Sequence, residues 1–157
     1  KSFGFTGWKI GWASGPEALV SALLTAKQSL TYVNGGPFQH ALVTALGLGD
    51  DYFRGLADDL QAKRDLLSEG LRSAGFGVFP TAGTYFITAD IRPLGSGDGV
   101  EFCMSLPERC GVVAVPSVVF YDNEEAGRHL IRFAFCKRPE VLAEAAERLA
   151  GMAGSQP

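Results

Sequence analysis

The chain has 157 residues, 46% of them hydrophobic and 20% charged, a composition typical of a folded globular protein and not of a disordered one. Fourteen basic and 17 acidic residues leave a net charge of −3, and no Lys/Arg cluster is longer than a pair such as Lys137-Arg138, so we expect no nucleic-acid partner and no anionic membrane partner. No apolar run reaches the roughly 18 residues of a transmembrane helix and no signal-peptide pattern is present, which predicts a cytoplasmic protein.

Cysteine and histidine do not predict a metal site. The three cysteines, Cys103, Cys110 and Cys136, are an odd number without paired ligand spacing, and we expect them to be reduced core thiols. His40 and His129 have no partners at ligand spacing, so we assign them no role.

The first half of the chain predicts one strand followed by helices. Residues 10–13 favour a short buried strand, and Ser14 and Glu17 predict a capping box at the start of a helix ending near Thr31. The loop 34–37 precedes an apolar helical stretch, 38–48. A long amphipathic helix then begins at Asp50 and ends before Gly75, which is a good stop signal.

The second half predicts strands alternating with helices. The expected strands are 76–79, 84–89, 112–115 and 130–135, with a polar loop over 122–129. Asp98 and Glu101 predict a second capping box, and Pro139 lies in the first turn of the closing helix. Helices alternating with short strands predict an α/β or α+β layered fold without internal repeats.

The first twelve residues, KSFGFTGWKIGW, combine three glycines with two lysines that stand eight residues apart among aromatic side chains. The glycines allow tight turns and close approach to a ligand. Lysines in such an apolar run suggest a site that needs an amine and a cation. The alternative is a strand with surface lysines.

KSFGFTGWKIGW resembles the segment of fold-type I aminotransferases that begins with the lysine bonded to pyridoxal 5′-phosphate (PLP). In that family a second cation, eight residues later, holds the cofactor phosphate. The resemblance implies that Lys1 is the PLP-bonded catalytic lysine and that Lys9 is the phosphate ligand, where many relatives have arginine. The alternative for Lys9 is an exposed lysine at a strand start.

Arg132 lies in the apolar strand LIRFAFCK, where an arginine is costly unless it is paired. Its planar fork suits a bidentate carboxylate, either that of a ligand or that of an internal Asp or Glu. The similar family has an arginine in a matching context that grips the substrate α-carboxylate, so the resemblance implies substrate binding by Arg132.

Three further residues match the family more weakly. Tyr32 and Asn34 match a loop that in relatives reaches across a dimer interface into the neighbouring site, and they imply a substrate-binding role and a homodimer. Plain loop packing is the alternative. Tyr85, in the segment GTYF, matches a strand near the substrate entrance but fits the core more readily.

The resemblance implies an α/β fold: the C-terminal small domain of a PLP-dependent transferase plus the last strand and helix of its large domain. Residues 1–33 would be the remnant of the large domain, 34–74 an interdomain helical segment, and 75–157 the small α/β domain. Other cofactor-binding groups of relatives lie upstream of the catalytic lysine. We therefore expect a piece of a longer enzyme that is inactive alone.

The implied activity is PLP-dependent transfer of an amino group from an amino acid to a 2-oxo acid. Matches through ADIRPLG, EFC…LPE and LIRFAFCKR resemble the kynurenine/glutamine transaminases and the aminotransferases acting on N-succinyldiaminopimelate. A PLP-dependent C–S lyase of the same fold and a non-catalytic association module remain alternatives.

Overall fold

The computed structural model describes residues 2–4, 6–33 and 35–153, without the side chain of residue 153. The chain forms two compact units, residues 1–54 and residues 55–157. Among the described residues, no helix has both the length and the apolarity needed to cross a membrane.

Helices and an aromatic cluster make up the described part of the first unit. A 3₁₀ turn, Thr6–Trp8, precedes helices α1 (Glu17–Leu30) and α2 (Gly36–Leu46), and helix α3 (Asp50–Ser73) begins in this unit. Phe3 is buried, with its ring centroid 6.1 Å from that of Trp12 and 5.7 Å from that of Phe53. The Tyr52 hydroxyl donates a hydrogen bond to the Phe3 carbonyl at 3.2 Å. These contacts hold the lysine segment against α3 within the unit.

Two expectations for this unit are wrong. Residues 10–13 do not form a strand, and the described residues of the unit include no strand with which they could pair. Helix α1 begins at Glu17 with Pro16 as its N-cap and has no side-chain cap. Ser14 therefore lies outside the first turn and is not its cap. The predicted end of this helix is confirmed, since Thr31 is the C-cap.

The apolar residues of α1 are exposed rather than buried. Leu19 is 64% exposed and Leu30 is 80% exposed, and no residue of α1 is buried. The amphipathic pattern in the sequence thus correctly identified a helix but not a packed face within this unit.

The second unit is built on a four-stranded antiparallel sheet. Its strands are β1 (Gly77–Val78), β2 (Phe86–Asp90), β3 (Val115–Pro116) and β4 (Leu130–Ala134), in the order β1-β2-β4-β3. Strand β4 is central and pairs with β2 from Phe86↔Ala134 to Asp90↔Leu130. The mixed α/β arrangement predicted from the sequence is confirmed, although β1 is shorter than the expected 76–79 and β3 overlaps the expected 112–115 only at Val115.

Helices cover one face of this sheet. Residues from α3, helix α4 (Gly99–Cys110) and helix α6 (Pro139–Ala153) form one core with the strands. Phe76 is central to it, because its ring makes edge-to-face contacts with Phe102 at 5.9 Å and with Phe133 at 5.6 Å. Since side chains alternate along a strand, Ile131 and Phe133 enter this core and Arg132 between them points to the other face.

Local signals explain the ends of α4. The Asp98 carboxylate accepts hydrogen bonds from the backbone amides of Val100 and Glu101, which confirms Asp98 as the N-cap. Gly111 ends the helix in the left-handed conformation, with φ 69°. The predicted loop 122–129 contains a short helix, α5 (Glu124–Gly127), which the polar composition did not indicate.

The end of β2 carries a bidentate ion pair that was not predicted. The buried Asp90 carboxylate accepts hydrogen bonds from Arg92 Nε and Nη2 and from the Arg92 backbone amide at 2.6–3.1 Å. The Arg92 guanidinium lowers the pKa of Asp90 by hydrogen bonding, against the opposing effect of burial. This pair fixes the turn that follows the strand.

Helices α3 and α6 approach closely at Gly70. A Cβ on Gly70 would overlap the Ala146 side chain and lie 3.3 Å from the Ala146 Cα. Only a residue without a side chain fits there, although glycine is unfavourable in a helix interior.

We expect Gly70→Ala to lower the free energy of unfolding by about 1–3 kcal/mol, because the added methyl group must push α3 and α6 apart. Gly55→Ala in the same helix is the matched control. A Cβ on Gly55 meets no atom within 4 Å, so its substitution should stabilise the helix by up to about 1 kcal/mol. Urea unfolding of the two variants tests this, and equal stabilities would contradict the close approach.

Candidate active site

The lysine segment is described only in part. Lys1 lies outside the described residues. Lys9 is exposed and directly follows the turn Thr6–Trp8, where its backbone amide donates to the Thr6 carbonyl at 3.4 Å. Its φ of 56° is left-handed, an uncommon conformation for a residue with a side chain. The backbone therefore presents the Lys9 side chain at a tight turn and not along a strand.

An apolar cavity of about 260 Å³ lies beside this turn. Trp8 and Trp12 line it from the lysine segment, and Phe38 and Leu42 line it from α2. The Trp8 and Phe38 rings stack with their centroids 4.6 Å apart. Lys9 is thus attached to a turn anchored by aromatic packing, and the tight turn itself is what the glycines in the sequence suggested.

Tyr32 lies just beyond α1 and is 70% exposed. Its φ is 55°, and its carbonyl accepts a hydrogen bond of 2.8 Å from Lys27 Nζ. The backbone conformation turns the chain sharply after the helix and leaves the phenol ring at the surface. Asn34 lies outside the described residues.

Among the predicted site residues that the structure describes, Arg132 has the most specific surroundings. It is half-buried at the centre of β4, directly opposite Thr88 of β2 and Val115 of β3. Its Cζ lies 4.3 Å from the Phe86 ring centroid and 3.8 Å from the Phe120 ring centroid. Both rings lie within the range of cation–π attraction.

The Arg132 guanidinium has aromatic neighbours but no acceptor within the described part of the chain. Its Nε is buried without a hydrogen-bond partner, and no described carboxylate lies within 4.0 Å of its nitrogens. An unpaired buried donor costs about 1–3 kcal/mol, so native proteins rarely retain one. The internal salt bridge considered as the alternative for Arg132 is absent among the described residues.

Tyr85 and Phe120 lie beside Arg132 and Phe86 in different environments. Tyr85 packs against the core, and its ring lies 4.7 Å from that of Phe86. Phe120 is 57% exposed, in the 3₁₀ turn Ser117–Phe120 that follows β3. The sequence did not predict that Phe120 contacts Arg132. The only signal was an aromatic pair, Phe120-Tyr121, before an acidic loop, and no periodicity connects it with Arg132.

The predicted site residues belong to both units. Lys9 and Tyr32 are in the first and Arg132 is in the second. Within the second unit the structure brings Arg132 together with two aromatic side chains rather than with another predicted site residue.

The described cysteines are free thiols, as expected. Burial raises the pKa of the Cys103 thiol to about 11, so this thiol is an inert core group at neutral pH. The expectation that all three are core residues is wrong for Cys136, which is exposed just after the end of β4. Over the described ranges, no three His, Cys, Asp or Glu side chains cluster in a way that could hold a metal ion.

Comparison with solved structures gives close matches over nearly the whole chain. The N-succinyldiaminopimelate aminotransferase of Mycobacterium tuberculosis superposes with a TM-score of 0.87 and 49% identity, covering 97% of this chain and 40% of that one. YbdL of Escherichia coli, whose structure and reactivity identify a methionine aminotransferase function, gives a TM-score of 0.80 and 34% identity over 93% of this chain and 38% of its own.

Comparison with known protein sequences gives the same relatives as comparison with structures. A protein named "Probable N-succinyldiaminopimelate aminotransferase" from M. tuberculosis is 47% identical over 98% of this chain and 41% of its own length. The methionine aminotransferase of E. coli is 34% identical over 95% of this chain and 38% of its own. The chain therefore spans about two fifths of the length of these relatives.

The family described as aminotransferase class I and II matches residues 1–149. This match covers both the lysine segment and the strand that carries Arg132. Together with the superpositions, it establishes that the chain belongs to the class I and II aminotransferases.

Proposed function

We propose that the protein containing this chain is a PLP-dependent aminotransferase that moves an amino group from an amino acid to a 2-oxo acid. The observation that carries the proposal is Arg132, a guanidinium held between aromatic rings and without a hydrogen-bond acceptor among the described residues. In a family of aminotransferases, the ligand that such a group fits is the carboxylate shared by amino acids and 2-oxo acids.

Members of this family use PLP, and the described residues fit its phosphate group at one point. Lys9 is an exposed cation on a tight, left-handed turn. Its ammonium would contribute one positive charge to the phosphate dianion of PLP, which other groups would also bind. Lys1 would provide the amine for the cofactor's aldehyde. When bound, PLP supplies a conjugated ring that accepts the electron pair left by the broken Cα–H bond.

Lys1 then has two tasks in the proposed mechanism. Its ε-amine anchors the cofactor until a substrate amine takes its place, and the freed amine accepts the proton from the substrate α-carbon. The same amine would return that proton on the cofactor side, and water would then hydrolyse the remaining C=N bond, which releases the 2-oxo acid and leaves the amino group on the cofactor. A 2-oxo acid reverses these steps in the second half-reaction.

Arg132 would orient the substrate. Two parallel hydrogen bonds from its guanidinium to the α-carboxylate fix the position of the adjacent α-carbon. Holding that carbon in one geometry is how a binding residue accelerates a proton transfer that it does not itself perform.

The proposed organisation follows the sequence expectations. Residues 1–33 would belong to the large PLP-binding domain, 34–74 to an interdomain helical segment, and 75–157 to the small domain. We also propose a cytoplasmic homodimer in which Tyr32 and Asn34 contribute to the partner's substrate site. The exposed Tyr32 side chain and the exposed apolar residues of α1 support an interface there.

Among donors, N-succinyl-diaminopimelate is the first to test. The identity of 47% to the relative named for it exceeds the 34% to the methionine aminotransferase.

Borohydride reduction of the whole PLP-loaded protein should attach the cofactor to Lys1, because only an amine bonded to the aldehyde is trapped. Mass spectrometry of the digested protein locates the adduct. The PLP absorbance should saturate with one equivalent per chain and be lost in Lys1→Ala. Lys27→Ala is the control, since this lysine is exposed and hydrogen-bonded to the Tyr32 carbonyl. An unmodified Lys1, or PLP without amino transfer, would contradict the proposal and favour an association module or a C–S lyase.

Arg132→Lys should lower kcat/KM for amino donors roughly 10–100-fold, because an ammonium cannot make two parallel hydrogen bonds to a carboxylate. Arg132→Leu should lower it further while changing the free energy of unfolding by no more than about 1 kcal/mol. Loss of the cation–π contacts is offset by removal of an unpaired buried donor.

Steady-state kinetics and thermal melts of the two Arg132 variants test this prediction. Arg128→Lys is the control, because Arg128 pairs with Glu125 at the surface and should tolerate the change. Unaltered turnover by Arg132→Lys, or unfolding of Arg132→Leu, would mean that Arg132 has a structural role.

Hybrid dimers test the proposed role of Tyr32. Lys1→Ala and Tyr32→Ala homodimers should each be impaired, whereas subunit exchange between them should restore activity to about a quarter of the wild-type value. The reason is that half of the dimers become hybrids, each with one intact site of two. Activity that does not rise on mixing would place Tyr32 in its own subunit's site or outside any site.

A further inference from the structure

The rings of Phe86 and Phe120 reach Arg132 from opposite sides of β4. Phe86 lies on β2, which pairs with one edge of β4, and Phe120 follows β3, which pairs with the other edge. Both ring centroids lie within 4.3 Å of the Arg132 Cζ. The guanidinium is therefore flanked by apolar walls contributed by two different segments.

These surroundings leave one side of the guanidinium open to a ligand. Nε is fully buried, and the two Nη atoms are neither fully buried nor hydrogen-bonded to described residues. A carboxylate can bind an arginine through Nε and one Nη or through both Nη atoms. With Nε covered, only the approach through both Nη atoms remains.

The turn that carries Phe120 is held in place by close packing. Ser117, its first residue, is buried. A Cβ on Gly127 of α5 would lie 2.6 Å from Tyr121 Cδ2 and 3.0 Å from Val118 Cα, so α5 packs directly against the turn. The Phe120 backbone is thus fixed even though its side chain is more than half exposed.

We propose that Phe86 and Phe120 are specificity-determining residues that form a slot around Arg132, and that the slot admits a planar carboxylate and excludes tetrahedral anions. The proposal rests on the proposed function, in which Arg132 binds the α-carboxylate of the substrate.

Geometry is the basis of the selectivity. A carboxylate that accepts two bonds from the Nη atoms lies in the guanidinium plane and passes between the rings. A phosphonate with two oxygens bonded in the same way directs its third oxygen and its carbon out of that plane, toward the ring walls. A charged oxygen against an apolar ring loses hydration without gaining a hydrogen bond.

Phe120→Leu and Phe86→Leu in the whole PLP-loaded protein test the slot, because leucine keeps apolar bulk but removes the flat wall. The probes are propionate and ethylphosphonate as competitive inhibitors of the amino donor, since both lack an amine. Wild-type protein should prefer propionate, and the ratio of the two inhibition constants should fall about three- to tenfold in each leucine variant.

The kinetic signature of a positioning role is specific. KM for the amino donor should rise about three- to tenfold in the leucine variants while kcat changes less than about twofold, because the rings act on binding through Arg132. Phe120→Tyr keeps a flat ring, so KM and the ratio of the two inhibition constants should stay close to their wild-type values. Val119→Ala in the same turn is the matched control, because the Val119 side chain is largely exposed.

A nuclear magnetic resonance measurement tests the slot without catalysis. The Arg132 Nε–H signal, assigned by its loss in Arg132→Lys, should exchange slowly with water in the wild type and several-fold faster in Phe120→Leu. An unchanged inhibitor ratio and unchanged exchange in the leucine variants would overturn the slot. In that case the proposed function would still stand if Arg132→Lys lowered kcat/KM. If instead the protein did not transfer amino groups but its Arg132 Nε–H exchanged slowly, the proposed function would be refuted and the slot would remain.

Discussion

The second unit depends on keeping a permanently charged guanidinium at the centre of its sheet. Arg132 stands between Ile131 and Phe133, which are both buried in the core, so core packing sets its position. An arginine cannot lose its charge to reduce the cost of partial burial. Among the described residues, two aromatic rings and no carboxylate stabilise this charge. A cation stabilised in this way keeps its hydrogen-bonding capacity for a ligand.

The rest of this unit explains how the arrangement is maintained. Strand alternation and antiparallel pairing put the core on one sheet face and Arg132 on the other, and the paired strands bring the two aromatic segments alongside it. Helices α3 and α6 pack closely at Gly70. The Asp98 cap fixes the start of α4, and the Asp90–Arg92 ion pair fixes the turn after β2. A rigid scaffold of this kind is what the proposed role of Arg132 in substrate binding requires.

Much of this could be predicted from the sequence, and the failures have physical causes. Periodic apolar residues and turn signals identified α3, α4, α6 and β4, because those elements bury one face within the unit that contains them. The strand expected over 10–13 failed because pairing is a property of two segments and not of one. Phe120 was missed for the same reason. Its contact with Arg132 depends on strand order, which no local pattern encodes.

Backbone conformation adds an independent argument about the candidate site. Lys9, Tyr32 and Thr84 are the described non-glycine residues with positive φ, and each adopts the left-handed conformation at a cost of about 1 kcal/mol or more. Lys9 is the phosphate ligand that the lysine motif implies, Tyr32 is one of the weaker site matches, and Thr84 lies two positions before Phe86. Strain of this kind persists only where the surrounding structure imposes it. Its coincidence with the lysine turn, the loop after α1 and the start of the strand beside Arg132 supports the proposal that these places are functional, because glycine forms a left-handed turn at a lower cost.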